Sequence, residues 1–161
     1  MPHAQAKSAK QRKRVSLNQP RQGEWDGEMP AFADLLAACQ PAFGAPVVED
    51  GGLMAQGFLR GSGHSLHRAS LALDKITHLV RVAVRFALPR ALHEREVITL
   101  MRIQDASRLS RLSYRPEDRQ LAVCAAAPCF GHQCGLHVAE VVLDDICHAV
   151  TDDRLLTLVN R

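Results

Sequence analysis

The residues best suited to metal or thiol chemistry lie together in the last third of the chain: Cys124, Cys129, His132, Cys134 and His137. Thiolate sulfur and neutral imidazole nitrogen are the ligands that zinc prefers, and a tetrahedral site needs four of them. The last four candidates fall within nine residues, whereas structural zinc sites usually draw two ligand pairs from separate turns. We therefore interpret this stretch as a strand-to-helix loop and predict no metal or cofactor. The alternative is a metal site at Cys129, His132, Cys134 and His137.

A second group of titratable residues lies on the helix predicted near the end of the chain. Two imidazoles and two carboxylates follow one another at spacings of three and four, which places them on one helix face. They are His137, Glu140, Asp144 and His148. The ends of this row are about 16 Å apart at the rise of an α-helix, too far for a single metal or acid–base centre. We interpret the row as a solvent-exposed helix face.

Motifs of nucleophilic or phosphoryl-transfer catalysis are missing from the sequence. The chain has no Gly-x-Ser-x-Gly turn, no Gly-rich phosphate loop and no His-Glu-x-x-His helix. The five cysteines are an odd number, and no apolar segment typical of a secretion signal follows the basic start. We therefore predict reduced thiols, a cytoplasmic location and a protein that is not an enzyme. A zinc or thiol enzyme is the third hypothesis.

The charge of the chain is divided between a basic start and a mildly acidic remainder. Of 161 residues, the first 22 contain six basic side chains and no acid, while the rest contain 14 basic and 17 acidic side chains. Because few apolar residues occur before position 29, we predict a disordered basic tail at 1–28 and a single domain at 29–161. Nucleic-acid or regulatory binding through this tail is the alternative function. The tail residues that an anion would contact are Lys7, Lys10, Arg12, Lys13 and Arg14.

Alternation of apolar and polar residues predicts the strands. From Leu79 to Leu88 every second residue is alanine or arginine, as in an antiparallel sheet with helices on one side. No apolar run reaches the roughly 18 to 20 residues of a membrane-spanning helix. The prediction is an α+β domain in the order α-β-β-β-α-β-β-α, with a sheet of about five strands. The predicted elements are a helix at 30–39, strands at 53–60, 65–73 and 79–88, a helix at 93–109, two strands around a turn at 116–118, a helix at 136–150 and an apolar segment at 155–159.

The stretch from Val80 to Val159 resembles the YbjN-type family, whose members have the fold of the class I type III secretion chaperones. The resemblance is carried by the strand 80–86 ending at Pro89, the helix 96–109, the strand and turn 112–118 and the strand 120–123. Family members often have two asparagines in the second helix, where this chain has Arg102-Ile103-Gln104-Asp105-Ala106. The resemblance implies no catalytic residues. It implies a dimer that holds an extended segment of a partner protein along apolar patches.

Taken with the residue pattern, this resemblance implies a bacterial, non-enzymatic protein-binding module that holds or regulates a partner protein, such as a secreted effector. The strand at 53–60 is predicted as a sheet edge, open to pairing with an extended peptide. The second helix is apolar on more than one side, so we expect the side that does not cover the sheet to be buried in a homodimer or against the partner. The residues predicted for that contact are Leu92, Val97, Leu100, Met101 and Ile103.

Overall fold

A computed structural model describes residues 29–49, 51–60 and 66–160 of the chain. The predicted basic tail with its five candidate anion-binding residues, and the predicted turn at 61–63, lie outside the described residues. In chain order the elements are α1 (Phe32–Cys39), β1 (Phe43–Val48), β2 (Met54–Arg60), β3 (Leu66–Asp74), β4 (Leu79–Ala87), α2 (Glu94–Ala106), β5 (Ser110–Arg115), β6 (Gln120–Pro128), α3 (His132–Val150) and α4 (Asp153–Val159).

The six strands form one antiparallel sheet in the order β1-β2-β3-β4-β6-β5. The predicted α+β class is confirmed, and each helix and strand predicted within the described residues is present. The element order differs in two places, because β1 precedes the three predicted strands and the apolar segment after α3 is a helix, α4. The sheet therefore has one strand more than expected.

Strand β1 is the element that the alternation pattern does not predict. Gly44 and Pro46 are typical of a turn, but here they belong to a strand whose pairing with β2 is interrupted between Gly44 and Val47. Within this bulge Ala45 has a φ of 48°. Bulges and prolines are tolerated at a sheet edge, where one row of backbone groups has no partner strand. The turn-like composition is thus compatible with an edge strand.

The position of β1 corrects the prediction of a sheet edge at 53–60. That strand is β2, and it pairs with β1 on one side and with β3 on the other. Gly57, which weakens the strand pattern, leaves room for an aromatic ring of β1: a Cβ at this position would lie 2.7 Å from Cε1 and Cζ of Phe43. The edges of the sheet are β1 and β5.

The core lies between one face of the sheet and the helices. On β4 the alternate residues from Val80 to Phe86 are buried, as the alternation predicts. Helix α3 packs over β4 and β6 and contributes the fully buried Val142 and Ile146, while α1 packs on α3 and α4 packs on α2 and α3. The opposite face of the sheet takes no part in this core.

Helix α2 begins and ends where side chains bind backbone groups. At its start the Glu96 carboxylate accepts a hydrogen bond from the His93 backbone N–H at 2.8 Å, as in a capping box. The helix ends at Ala106, three residues earlier than predicted. At this end the Ser107 hydroxyl donates to the Ile103 carbonyl at 3.0 Å, and in the connection to β5 the Leu109 backbone N–H donates to Asp145 of α3.

Candidate functional site

One face of the sheet is covered by no helix of the described chain, and we call it the outer face. It is formed by every second residue of each strand, and its rows run across all six strands. One such row consists of Val47, Gln56, Ser70, Ala83, Cys124 and Arg111. The outer face is therefore open to a partner along the whole width of the sheet.

Arginine dominates the charge of the outer face. Six exposed arginines from four strands belong to it: Arg60, Arg68, Arg81, Arg85, Arg111 and Arg115. None of the six forms an ion pair with a carboxylate of residues 29–49, 51–60 and 66–160. The pairing of β3 with β4 ends at Ala69 and Val84, and the next residues along the two strands are Arg68 and Arg85. Because like charges near each other on a sheet are unfavourable, the positive charge of this face does not contribute to the stability of the fold.

Large apolar side chains also lie on the outer face, on β1, β2 and β3, beside Arg60 and Arg68. We call them the outer apolar patch: Val47, Met54, Phe58 and Leu66. Val47 is 68% exposed and Leu66 is 63% exposed. Phe58 stands opposite Arg68, so the patch borders the arginines. The outer face thus presents apolar surface and positive charge side by side.

A recess opens where β5 begins beside β6, and we call it the arginine recess. It measures about 290 Å³ and is lined by Arg81 of β4, Arg108 of the α2–β5 connection and Arg111 of β5. Arg81 stands opposite Ala126, and Arg111 stands opposite Cys124, so short β6 side chains leave space between the two arginine positions. No acidic residue of the described chain lines the recess.

Asp74 lies diagonally across from Arg81 in the register of β3 and β4. Its carboxylate binds backbone groups of the β3–β4 turn. Its Oδ1 accepts hydrogen bonds from the backbone N–H groups of Ile76 at 2.9 Å and Thr77 at 3.1 Å. Hydrogen bonds from the Thr77 side chain and from these backbone groups lower the pKa of Asp74, and the charge of Arg81 adds a weaker attraction. Asp74 does not form an ion pair with Arg81 among the contacts of the described residues.

The four predicted metal candidates are not brought together. Cys129 precedes α3 and is fully buried, whereas His132, Cys134 and His137 are exposed on the first turns of α3, which begins four residues earlier than predicted. His132 Nε2 lies 4.0 Å from Oδ2 of Asp34 on α1. Within the described ranges, no group of three or more His, Cys, Asp or Glu side chains is arranged to hold a metal ion.

The row of imidazoles and carboxylates on α3 lies in solvent, as interpreted from its spacing. All four side chains are exposed. His137 Nδ1 lies 3.6 Å from Glu140 Oε2, and His148 Nδ1 lies 3.8 Å from Asp144 Oδ1. Exposed pairs of this kind contribute little to stability, and the row forms a polar surface of the helix.

All five cysteines are unpaired, and three have pKa values raised by burial. Burial raises the pKa of the Cys39 thiol to about 12, with Glu140 and Cys129 adding to the shift. Burial also raises the pKa of Cys129, and it raises the pKa of Cys147 together with the charge of Asp144. A thiol nucleophile needs a lowered pKa, which none of these three has. Cys39 and Cys129 are buried in the core, and Cys147 is half-buried against it.

The five residues predicted for a contact on the second helix separate into inner and outer positions. Leu100 and Ile103 are buried inside the domain, which corrects their predicted place in a contact surface. The physical reason is that α2 packs against both β5 and α4, so a second side of the helix is covered by the chain itself. Met101 is 62% exposed, and Leu92 and Val97 are half-buried.

Both edges of the sheet restrict the addition of a further strand. At β5 the Gln104 side chain donates to the Ser110 carbonyl at 3.1 Å and accepts a hydrogen bond from the Leu112 backbone N–H. Helix α2 thereby occupies backbone groups on the side of β5 that faces away from β6. At the other edge the bulge of β1 and Pro46, which has no N–H, interrupt the row of free groups. An extended peptide finds few consecutive backbone partners at either edge.

A second groove, of about 570 Å³, lies between the end of α2 and α3. Its lining includes Arg108 together with Asp144, Asp145, His148 and Asp152. Charges of both signs share this lining, and Asp145 is already bound to the backbone of the α2–β5 connection. The mixed charge of this groove therefore favours neither an anionic nor a cationic ligand.

Comparison of the chain with models of protein families, with curated proteins and with solved structures finds no match. The resemblance to the YbjN-type family and to the class I type III secretion chaperones therefore stays a prediction from the residue pattern. In the part of the chain that the structure describes, no helix is both long and apolar enough to cross a membrane.

The arginine recess and the outer apolar patch are the features that sequence reasoning missed. A signal for the recess was present on β4, where Arg81 and Arg85 alternate with buried valines and therefore belong to the outer face. Arg108 and Arg111 gave no such signal, because their position beside Arg81 depends on how β5 and β6 join β4.

Proposed function

We propose that this protein is a non-enzymatic binding module that receives a segment of a partner protein on its outer face, as a chaperone or a regulator of that partner. The observation that carries the proposal is the outer apolar patch, four large apolar side chains exposed on one uncovered face. Single exposed apolar residues are ordinary, but a group of them on one face marks an interaction surface. The arginines bordering the patch would add selectivity for the partner.

The partner segment is expected to lie across the outer face rather than to extend the sheet. Strand addition requires a row of free backbone groups, and both edges are interrupted, by the side chain of Gln104 at β5 and by Pro46 at β1. Side-chain contacts with the outer face would then supply both the affinity and the selectivity of binding.

A homodimer built on α2 is part of the proposal. Ile98 is 42% exposed and Met101 is 62% exposed, and their spacing of three places them side by side on the helix. Burial of this pair in a second copy would remove it from water, and it leaves the outer face free because α2 packs on the other side of the sheet. Light scattering tests this point: Met101→Glu should shift the mass from dimer to monomer, whereas Gln133→Glu on the exposed surface of α3 should not.

A cytoplasmic location is also proposed. All five cysteines are unpaired, and burial raises the pKa of Cys39, Cys129 and Cys147. Free thiols suit a reducing compartment. Fractionation of the native cells should recover the chain with its five thiols still open to alkylation after unfolding, and recovery of a disulfide-linked form would contradict the proposal.

Site-specific crosslinking tests the binding function. The full chain is produced in its native cells with a photoreactive amino acid at position 58 of the outer apolar patch or, as a control, at position 102 on the exposed surface of α2. The proposal expects a crosslink to one identified protein from position 58 but not from position 102. With that protein purified, Phe58→Asp should weaken binding about tenfold or more, since an aromatic anchor is replaced by a charge.

The control variant is Arg102→Asp, which changes an exposed residue of α2 instead. Both variants should keep the melting temperature of the wild type because neither side chain is buried. A purified partner that binds Phe58→Asp as tightly as the wild type would refute the proposed function.

A further inference from the structure

The geometry points to the arginine recess as a binding site for carboxylate groups, so that the partner segment is acidic. This inference rests on the proposed function and adds the chemistry of the partner. A guanidinium presents parallel N–H donors that match the two oxygens of a carboxylate, and such paired hydrogen bonds are among the strongest in proteins. Three guanidinium side chains, from Arg81, Arg108 and Arg111, line one recess of about 290 Å³.

The counter-charges nearest the recess lie outside its lining: Asp74 weakly attracts Arg81 from the β3–β4 turn, and Arg108 also lines the groove that contains Asp144, Asp145 and Asp152. Within the described chain no acidic residue lines the recess, and none of its three arginines forms an ion pair. Arg111 donates from Nη1 to the Ser110 carbonyl at 3.2 Å, which uses one of its five donors. Gathering like charges around one cavity is unfavourable, and an anion from outside removes that repulsion while it satisfies the remaining donors.

The surroundings of the recess favour a protein segment over a nucleic acid. Among the described strands, the outer face carries one aromatic side chain, Phe58, and it belongs to the apolar patch. Binding of single-stranded nucleic acid normally uses several aromatic rings on which bases stack. The outer apolar patch would also oppose a phosphate backbone, whereas a protein segment can place apolar residues there.

The distance across the sheet sets the length of the segment. The row from Val47 to Arg111 crosses six strands, which is about 24 Å at the usual spacing of neighbouring strands. An extended chain covers this distance with about seven residues. The partner segment therefore has acidic residues about seven positions away from an apolar group.

The first 22 residues of the chain itself do not suit the recess. They contain six basic side chains and no acid, so the recess repels them. Three acids follow in the sequence, Glu24, Asp26 and Glu28, and the test below includes them as a competing occupant.

The test measures binding of labelled probes to the full chain by fluorescence anisotropy. The main probe is a peptide with a Glu/Asp cluster about seven residues from a Leu-Val pair, and its control has the acids replaced by their amides. A labelled single-stranded oligothymidylate is the nucleic-acid probe. Arg81→Gln/Arg111→Gln removes two charges from the recess, and Arg95→Gln/Arg102→Gln removes two charges from the exposed surface of α2.

The inference expects the acidic peptide to bind the wild type and the Arg95→Gln/Arg102→Gln variant equally. The Arg81→Gln/Arg111→Gln variant should bind it about tenfold more weakly, and the amide peptide should bind weakly to all three proteins. A second measurement uses two cysteines: the acidic peptide should slow alkylation of Cys124, which lines the recess, but not of the exposed Cys134.

Three results would overturn the inference. Equal weakening by the two double variants would mean that net charge alone attracts the peptide. Oligothymidylate that binds more tightly than the peptide and depends on Arg81 and Arg111 would assign the recess to nucleic acid. Tenfold tighter peptide binding after Glu24→Gln, Asp26→Asn and Glu28→Gln would show that the chain's own acids occupy the recess.

The purified partner separates this inference from the proposed function. If Phe58→Asp weakens partner binding but Arg81→Gln/Arg111→Gln does not, the acidic chemistry is wrong and the binding function stands. If neither variant weakens it, both proposals fail. The variants of Phe58, Arg81, Arg111, Arg95 and Arg102 replace exposed side chains, and unchanged melting temperatures confirm that they fold.

Discussion

The carboxylate of Asp145 on α3 binds Ser110, the first residue of β5, through one oxygen. Asp145 Oδ2 accepts a hydrogen bond from the Ser110 hydroxyl at 2.6 Å and another from the Ser110 backbone N–H at 2.7 Å. The same oxygen accepts from the Leu109 backbone N–H at 3.2 Å. Ser110 is fully buried, so one side chain satisfies polar groups that water cannot reach. It also fixes the start of β5, next to the arginine recess.

Asp145→Ala should therefore lower the free energy of unfolding by about 2 to 4 kcal/mol, because it leaves buried donors without an acceptor. The matched control is Asp144→Ala, since Asp144 is exposed and lies 3.8 Å from His148; it should change stability by about 0.5 kcal/mol or less. Urea denaturation at pH 7 measures both. An equal loss from the two variants would contradict the role of Asp145.

Gly57→Ala should destabilise the junction of β1 and β2. The added Cβ would lie 2.7 Å from Cε1 and Cζ of the buried Phe43 ring and 2.8 Å from the Gly44 carbonyl oxygen, and the backbone atom cannot easily move aside. We expect a loss of about 1 to 3 kcal/mol. In the control Gly44→Ala, the nearest contact is an ordinary 3.9 Å, so thermal unfolding of the two variants should differ clearly. Similar melting temperatures would mean that β1 does not pack on β2 in this register.

Val84→Asp should prevent folding, whereas Arg85→Ala should be tolerated. Val84 is 1% exposed in the core and its neighbour Arg85 is exposed on the outer face. An unpaired charge in the core is expected to cost about 4 kcal/mol or more, and loss of an unpaired surface arginine should cost little. Circular dichroism and the amount of folded protein after purification measure the difference. Comparable behaviour of the two variants would show that the register of β4 is wrong.

The start of α2 should contribute stability that depends on pH. Two hydrogen bonds from Arg90 and one from the His93 backbone N–H lower the pKa of Glu96 from 4.5 to about 2. Because the folded-state pKa lies below the unfolded one, this contribution is present above about pH 4.5 and is lost as the pH falls towards 2. Glu96→Gln should therefore melt below the wild type at pH 7, and the gap should narrow in acid.

The control for this pH dependence is Glu94→Gln, which removes the same charge from an exposed position on the first turn of α2. Its difference from the wild type should be smaller at pH 7 and should change less with pH. A gap between Glu96→Gln and the wild type that stays constant from pH 7 to low pH would contradict the assigned hydrogen bonds. Calorimetry over a series of buffers provides the measurement.

The predictable part of the fold is the part that local pattern controls. On β4, Val80, Val82 and Val84 alternate with outer residues over a long strand, so the period identifies both the element and its buried face. The pattern of α3 is equally regular, and only its first turn was missed. These elements carry most of the core, which is why the α+β class followed from the sequence.

The parts that were not predicted depend on contacts between distant residues. Strand β1 contains a bulge at Gly44 and Pro46, and the Phe43 ring packs over Gly57 of β2. The alternation of apolar and polar residues does not indicate this contact. The inner position of Leu100 depends on the packing of α4 and β5 against α2. The arginine recess likewise exists only once β4, β5 and the α2–β5 connection have met, so its residues are unremarkable in sequence.

The pairing of β4 with β6 has a consequence for the rate of folding. β2, β3 and β4 pair with their neighbours in sequence, and β5 pairs with β6 across a short turn, so these two units form by closing small loops. When the two units dock, β4 pairs with β6 and Leu79 lies opposite Pro128. This pairing closes a long loop that contains α2 and β5. Because the entropy of closing that loop is lost before the contacts are gained, we expect this docking step to set the folding rate. Conservative truncations in the β4–β6 contact should slow folding, whereas truncations in β1 should mainly speed unfolding.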